Sequence, residues 1–459
     1  MNCNDAIKNL EAKRIELKGD SGALFDIVFD NSVYTEIDRY TQNGEKQGFV
    51  KCAYGTISGC PVYAFMQDRA CGNALTFGDA KKINKLMNLA TQNGTPVVGF
   101  YDADGVDLNE GFETLNAYGS IMSAASSLSG VVPFVSVILG SCVGTAAVAA
   151  SMSDFVIVLK DSEFYLNNPN VLGDRKGQIG TSSLAIKNGT ASIVANSRED
   201  AANKLAKLFE YLPQNNLSPL PSAEYNAPDT ALTKDSAAAV INGVVDKDSY
   251  FELSSEFHSE ISCGFARIFG KTVGTISVLL EGKYLSPKAA AKLIRFINFC
   301  DSFTIPIVSF SDCRGFLGDK ALELNGDIKV ISTLIKTYAE ATSPKINLIV
   351  GEAIGSGATL FSSANGADCV LALACANVGL MEPSAAVELF YKEQLASGED
   401  RKALEEKYIK EQCNPFIAAS QGFIDDVIKP EEAHAAIGER LEMLANKRVN
   451  KIERKHFNI

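Results

Sequence analysis

Two stretches decide the fold: Gly140-Ser141-Cys142-Val143-Gly144, and Gly351-Glu352-Ala353-Ile354-Gly355 running on into Ser356-Gly357-Ala358. Each follows a β-branched apolar run and opens a segment of small residues, and the sequence on either side recurs in the same order. Thr95-Pro96-Val97-Val98-Gly99-Phe100 returns as Ile305-Pro306-Ile307-Val308-Ser309-Phe310, and Gly55-Thr56-Ile57 as Gly274-Thr275-Ile276. Beyond the glycine turns, Ser153-Asp154-Phe155-Val156-Ile157-Val158-Leu159 returns as Ala367-Asp368-Cys369-Val370-Leu371-Ala372-Leu373. The spacing stays between 210 and 219 residues, far longer than the roughly 20–50 residues of a solenoid repeat. This is a domain duplicated in tandem, so Gly144 and Gly357 are expected at corresponding strand-to-helix turns.

Within each copy, strand-like and helix-like segments alternate. Residues 58–66, 96–101 and 134–139 read as strands; 77–92, 116–127, 144–151 and 199–212 read as helices. Ile83, Leu86, Met87 and Ala90 share one helical face, and Ser197 with Asp200 forms a capping signal. Strand–helix–strand alternation predicts an α/β architecture. Pro213, Pro219, Pro221 and Pro228 mark a division near residue 225, giving domains 1–225 and 226–459.

The chain is 46% hydrophobic and 21% charged, with a net charge of −12. That balance supports large cores and argues against a nucleic-acid surface, which needs clustered Lys and Arg. Eleven cysteines form no C-x-x-C pair, and several lie in apolar runs; a reducing cytoplasm is expected, without structural zinc. Residues 131–152 contain no charge, long enough for a membrane span. Pro133, Gly140 and Gly144 interrupt them, and the second copy carries Glu352, so a buried strand, turn and helix is the expectation.

Catalytic side chains are scarce. Only His258, His434 and His456 are present, none in a glycine turn, and no phosphate-binding G-x-x-x-x-G-K-[ST] loop or metal-ligand cluster occurs. What remains is backbone. One turn in each half follows the proline-led strand: Asp104-Gly105-Val106, then Arg314-Gly315-Phe316. A second opens a helix: Val143-Gly144-Thr145, then Gly355-Ser356-Gly357-Ala358. Such turns present unpaired amides, and two converging make an oxyanion hole. Glycines also serve close helix–strand packing; the recurrence of both turns in both halves is what adds the catalytic reading.

The order of these turns resembles the biotin-dependent acyl-CoA carboxyltransferases, the family of propionyl-CoA carboxylase β subunits and methylmalonyl-CoA decarboxylase α subunits. Tyr118-Gly119-Ser120-Ile121, Tyr211-Leu212-Pro213-Gln214-Asn215-Asn216, Arg295-Phe296-Ile297-Asn298-Phe299-Cys300-Asp301-Ser302-Phe303, Tyr338-Ala339-Glu340-Ala341-Thr342-Ser343-Pro344-Lys345 and the tail Arg454-Lys455-His456-Phe457-Asn458-Ile459 carry the likeness. The resemblance implies two tandem crotonase-like domains, acyl-CoA on the first and carboxybiotin on the second. Biotin would be carried on a partner protein, alongside a biotin carboxylase or membrane decarboxylase subunits, in a homo-oligomer expected to be a hexamer. It implies Gly105, Val106, Val143, Gly144, Gly315, Phe316, Gly357 and Ala358 as catalytic backbone, and Gly355 to Ala358 as the biotin side. In such enzymes carboxybiotin supplies both CO2 and the base, which accounts for the missing histidines.

The chain departs from the family at Ala103-Asp104-Gly105-Val106-Asp107-Leu108-Asn109-Glu110-Gly111, where S-G-G-A-R-I-Q-E-G is usual. Asp104 and Asp107 thus add negative charge where an anionic thioester is expected. Two alternatives follow: a non-catalytic homologue, or a crotonase-type hydratase or isomerase using Asp104, Asp107 or Glu110 as its carboxylate.

Overall fold

The computed structural model describes residues 3–16, 20–43, 46–362 and 366–449; the tail motif 454–459 and His456 lie outside them. The chain divides into two compact units, Met1–Pro219 and Leu220–Ile459. The proline-rich stretch joins the second unit from Leu220 onward because it is tied there: Pro221 O accepts from Thr272 Oγ1 at 2.7 Å, and Ala223 N donates to Gly270 O at 2.9 Å.

The first unit is built on an eight-stranded sheet of β1 (Tyr34–Ile37), β2 (Val50–Ile57), β3 (Cys60–Gln67), β4 (Val97–Ala103), β5 (Phe134–Val143), β6 (Phe155–Leu159), β7 (Glu163–Tyr165) and β8 (Ile193–Ala195). Its order is β1-β2-β3-β4-β5-β6-β8, with β7 pairing the end of β5. The second unit repeats it with β9 (Phe251–Leu253), β10 (Ile261–Ile268), β11 (Lys271–Leu279), β12 (Ile307–Cys313), β13 (Lys345–Ile354), β14 (Cys369–Leu373), β15 (Asn377–Gly379) and β16 (Asp426–Ile428), in the order β9-β10-β11-β12-β13-β14-β16 with β15 on β13. In both, the first three strands are antiparallel and the rest parallel. Even the irregularity recurs, between Tyr101 and Ala103 and between Ser311 and Cys313.

Helices fill the crossovers that parallel strands require. In the first unit these include α1 (Phe77–Asn93), α2 (Glu113–Leu128), α3 (Thr145–Ser151) and α4 (Arg198–Phe209); in the second, α5 (Pro287–Ser302), α6 (Ile328–Glu340) and α7 (Ser356–Phe361). A capping box starts α1, with Asp79 N donating to Thr76 Oγ1 at 3.1 Å and Thr76 N to Asp79 at 3.3 Å. Gly94 ends it in the left-handed conformation. Its buried face is Ile83, Leu86, Met87 and Ala90, as the spacing predicts, packed with α2 residues Ala117, Tyr118, Ile121 and Ala125 in one core. Ser197 caps α4 through Asp200 N; the helix stops at Phe209, three residues before the expected end.

Two expectations need correction. Gly55 and Gly274 are not equivalent: Gly55 lies on β2, and Gly274 lies on β11, the counterpart of β3. They are glycine for different local reasons, since a Cβ would meet Phe29 in one case and Cys300 in the other. The true pair in this region is the hairpin turn Ser58-Gly59 and Phe269-Gly270, all four residues at positive φ. An aspartate from outside the hairpin grips each turn. Asp30 takes the amides of Ser58 and Gly59 at 3.0 and 2.8 Å, and Asp246 those of Phe269 and Gly270 at 3.0 and 2.7 Å. Residues 58–59 are therefore a turn and not the start of a strand. The second correction concerns Gly357: the counterpart of Gly144 is Gly355, as set out below.

The uncharged run 131–152 forms β5, the Gly144 turn and α3, and among the described residues no helix is long and apolar enough to cross a membrane.

Candidate active site

Each sheet carries its two turns at the carboxyl ends of neighbouring parallel strands. After β4, Gly105 adopts φ 125°; after β12, Gly315 adopts φ 133°. Only glycine takes these values without strain. Around both turns the hydrogen bonds are the same. Leu75 N donates to Gly105 O at 2.8 Å and Asp107 N to Leu75 O at 2.9 Å; in the second unit Leu285 N donates to Gly315 O at 2.9 Å and Leu317 N to Leu285 O at 3.0 Å. Alternation along the backbone turns the amides of Val106 and Phe316 away from these bonds.

The second turn is a glycine with φ 62° and ψ −130° at Gly144, and φ 54° and ψ −123° at Gly355. Both glycine amides are already used, Gly144 N by Tyr165 O at 2.9 Å and Gly355 N by Gly379 O at 3.1 Å. Sequence reasoning placed Gly144 and Gly355 among the ligand-facing residues, but their amides donate within the sheet and their contribution is the turn itself. The free donors follow them, because the first turn of a helix has no intrahelical acceptor. In α7 the first bond is Thr359 N to Gly355 O at 3.1 Å, leaving Ser356, Gly357 and Ala358 ahead of it.

The turns converge. In the second unit a Cβ on Gly357 would lie 2.3 Å from Cys313 O and 2.9 Å from Gly315 N, and one on Gly315 would lie 2.5 Å from Ser356 Oγ. In the first unit Asp104, Gly105 and Val106 face Val143, Gly144, Thr145 and Ala146 across a cavity of about 530 Å³, floored by Leu115, Tyr118, Gly119 and Met122 of α2. A carboxylate underlies each arrangement. Asp102 Oδ1 accepts from Ser141 N at 3.1 Å and Asp312 Oδ1 from Glu352 N at 3.0 Å, each lodged against a glycine, Gly140 or Gly351, whose Cβ would sit 2.3 or 2.2 Å from it. Burial pushes the Asp312 carboxyl above its ordinary range.

The unexpected acidic residues turn out to be engaged. Asp104 is held by Arg69, whose two terminal nitrogens reach it at 2.9 and 2.7 Å, while Arg69 Nε reaches Asp102 at 2.8 Å. Hydrogen bonding to that guanidinium lowers the Asp104 carboxyl below its usual range. Asp107 caps a short 3-10 turn, accepting from Asn109 N at 3.0 Å, and does not line the cavity. Glu110 accepts from Phe77 N at 2.6 Å at the start of α1. Of the three carboxylates proposed for a hydratase, Asp107 and Glu110 are thus held in local structure, and Asp104 lines the cavity as the partner of Arg69. In the second unit the fork is reversed: Arg314 stands on the turn and pairs with Glu352 of β13 at 2.5 and 2.8 Å. Sequence reasoning missed Arg69. Its signal was an arginine at the exit of β3, which carries no meaning until β4 is laid beside it.

No group of three or more metal-ligating side chains occurs among the described residues. His258 pairs with Glu260 at 2.9 Å and His434 bonds Val244 O at 2.7 Å; neither lines the first-unit cavity.

With this geometry in place, comparison with known proteins identifies relatives. Residues 9–459 match the carboxyl transferase domain family. The chain is 32% identical to the carboxyltransferase subunit of propionyl-CoA carboxylase from Haloferax mediterranei, covering 99% of this chain and 97% of that one. It is 32% identical to the α subunit of methylmalonyl-CoA decarboxylase from Veillonella parvula, covering 94% and 91%. Among solved structures it is similar to transcarboxylase 12S with methylmalonyl-CoA and methylmalonic acid bound, described as a hexamer assembly, with a TM-score of 0.91, 27% identity and coverage of 100% and 98%.

Proposed function

From the premise that this chain belongs to the carboxyl transferase family, we propose how its two units divide the work of a biotin-dependent acyl-CoA carboxyltransferase. The first-unit cavity takes the acyl-CoA. The Val106 amide, from one turn, and the amides opening α3, from the other, hold the thioester oxygen as it gains charge on enolisation. In the second unit, the Phe316 amide and those of Gly357 and Ala358 hold the ureido oxygen of biotin. Biotin, when bound, supplies the carboxyl group and the base; the protein supplies position, preorganised donors and shelter from water.

One observation carries this reading: the same pair of turns, with matching backbone angles and matching hydrogen bonds, stands at the strand ends of both sheets. A site that needs two oxyanions stabilised on two substrates needs two such sets of donors. The donor chemistry fits, since a thioester or ureido oxygen asks for N–H groups and not for an ionisable side chain.

Leu108, Phe112 and Leu115 are 81, 86 and 70% exposed at and beside the cavity. Clustered apolar exposure of this kind marks a surface that another chain covers, which supports a homo-oligomer; the likeness to transcarboxylase 12S, described as a hexamer assembly, supports taking it as a hexamer, with a biotin carrier protein as its further partner. The same reading takes a biotin carboxylase or decarboxylase subunits as partners, and cysteines that form no disulfide among the described residues fit a reducing cytoplasm.

The test mixes purified protein with malonyl-, methylmalonyl- or glutaconyl-CoA and free biotin, and follows decarboxylation. Biotin-dependent loss of CO2 from at least one ester is expected. Its absence from all three, with the protein folded, would favour the non-catalytic reading.

A further inference from the structure

We infer that Gly119 gauges the acyl chain: its missing side chain leaves the room beside α2 in which the hydrocarbon part of the thioester lies. This rests on the reading above, that the first-unit cavity takes the acyl-CoA.

Gly119 sits in the middle of α2 (Glu113–Leu128), on the same face as Leu115, Tyr118 and Met122, at helical spacing. All four line the cavity. Glycine is a poor choice there, because an exposed helix-interior glycine lowers helix stability relative to alanine. The usual excuses are missing. Gly119 is exposed, it does not have positive φ, and a Cβ built on it meets nothing within 4 Å. Glycines forced by packing look different: at Gly99 and Gly140 the added Cβ falls 2.4 and 2.3 Å from a neighbouring side chain. Within the protein alone, then, any small side chain fits at 119 and would stabilise the helix. The empty space it would enter is the cavity.

The occupant of that space follows from the walls. Val106, Leu115, Met122 and Val143 offer apolar surface, whereas a pantetheine arm would require partners for its amides. The amide-bearing turns at 104–106 and 143–146 fix the thioester carbonyl at one side of the cavity, so the carbon chain that extends from it runs toward α2. A methyl-sized change in such a pocket discriminates between substrates by about 10–200-fold.

The experiment compares the full chain with Gly119→Ala, Gly119→Leu and Gly119→Met by calorimetric titration with acetyl-, butyryl- and hexanoyl-CoA, together with thermal unfolding. Expected are a rise in Tm of about 2–4 °C for Gly119→Ala and, for Leu and Met, a loss of hexanoyl-CoA affinity of about 10–100-fold. Acetyl-CoA affinity should change less than about twofold. A length-blind loss, unchanged affinity for all three esters, or a Tm lowered by alanine would overturn the inference, the last because it would show a packing role. If Leu does not fold, Met carries the length comparison. A parent protein that binds none of the three esters would overturn the assignment of the cavity itself, an outcome distinct from length-blind binding.

Discussion

Replacing Arg69 with glutamine should weaken CoA-ester binding without touching any donor that faces the ligand. Arg69 spans Asp102 and Asp104, so the three side chains together carry one net negative charge; Arg69→Gln leaves two. Both members of the outer pair are partly exposed, at 39 and 50% of their side-chain surface, so the pair itself contributes only about 0–1 kcal/mol to stability. The effect on binding is Coulombic. An additional unit charge about 10 Å from an anionic group, at an effective dielectric of about 40, costs about 0.8 kcal/mol, or roughly fourfold in Kd. The assay is calorimetric titration with a CoA ester at low ionic strength and again near 1 M salt, where the Debye length shrinks to about 3 Å. The fourfold deficit should appear at low salt, vanish at high salt, and be relieved by adding Asp104→Asn. A deficit that persists unchanged at high salt would mean that Arg69 holds the turn by geometry, and equal affinity at low salt would mean that the cluster does not sense the ligand.

Other substitutions separate backbone roles from side-chain roles. Gly357→Ala retains its N–H but drives a methyl group onto Cys313 O and Gly315 N, at 2.3 and 2.9 Å; spreading the two turns should lower the carboxyl-transfer rate about 10²-fold with the circular dichroism spectrum unchanged. Asp107→Arg changes the charge by two units beside the cavity-lining Val106 and Leu108, so by the same Coulombic estimate it should tighten CoA-ester binding by about tenfold at low salt, while costing about 0.5–2 kcal/mol in urea unfolding because it removes the cap on Asn109 N. Asp312 has its carboxyl raised by burial, so its contribution to stability is complete below the ordinary carboxylate range and is lost as pH rises through the raised value. The second unit should therefore gain stability as pH falls from neutrality toward that range, and Asp312→Asn should flatten the trend, read as the pH dependence of the urea midpoint.

Sequence and structure agree best where a residue's reason is local. Pro96 and Pro306 announce β4 and β12, the spacing of Ile83, Leu86, Met87 and Ala90 announces α1, and Gly140 and Gly351 announce the turn beyond β5 and β13. The Gly55 and Gly274 match failed because glycines on opposite arms of two equivalent hairpins look alike in sequence while answering to different neighbours, Phe29 and Cys300. The hairpin turns Ser58-Gly59 and Phe269-Gly270 were hidden because their first residues share no chemistry. What they share is an aspartate reaching in from afar, which no window of sequence contains. The site shows the same divide. Its glycines were legible as a pattern, but which amides are spent inside the sheet, at Gly144 and Gly355, emerged only once β7 and β15 were seen to take them. Arg69 was illegible for the corresponding reason, since its partners lie 33 and 35 residues away.

The reversed arginine forks bear on how such a molecule can change. Glycines and the aspartates lodged against them, Gly140 with Asp102 and Gly351 with Asp312, shape the backbone of both sheets in the same way, so a mutation in that layer has no simple compensating change. The ion pairs belong to a second, looser layer: in one unit the guanidinium reaches the turn from a strand end, in the other it sits on the turn and reaches out. The turn position has kept an ion pair while changing both its sign and the strand that supplies its partner, so the pair is free to drift so long as both members change together. Grafting the 104–107 turn onto the second sheet in place of 314–317 would therefore preserve the scaffold and strand the charges, setting Asp104 beside Glu352 with no arginine between them.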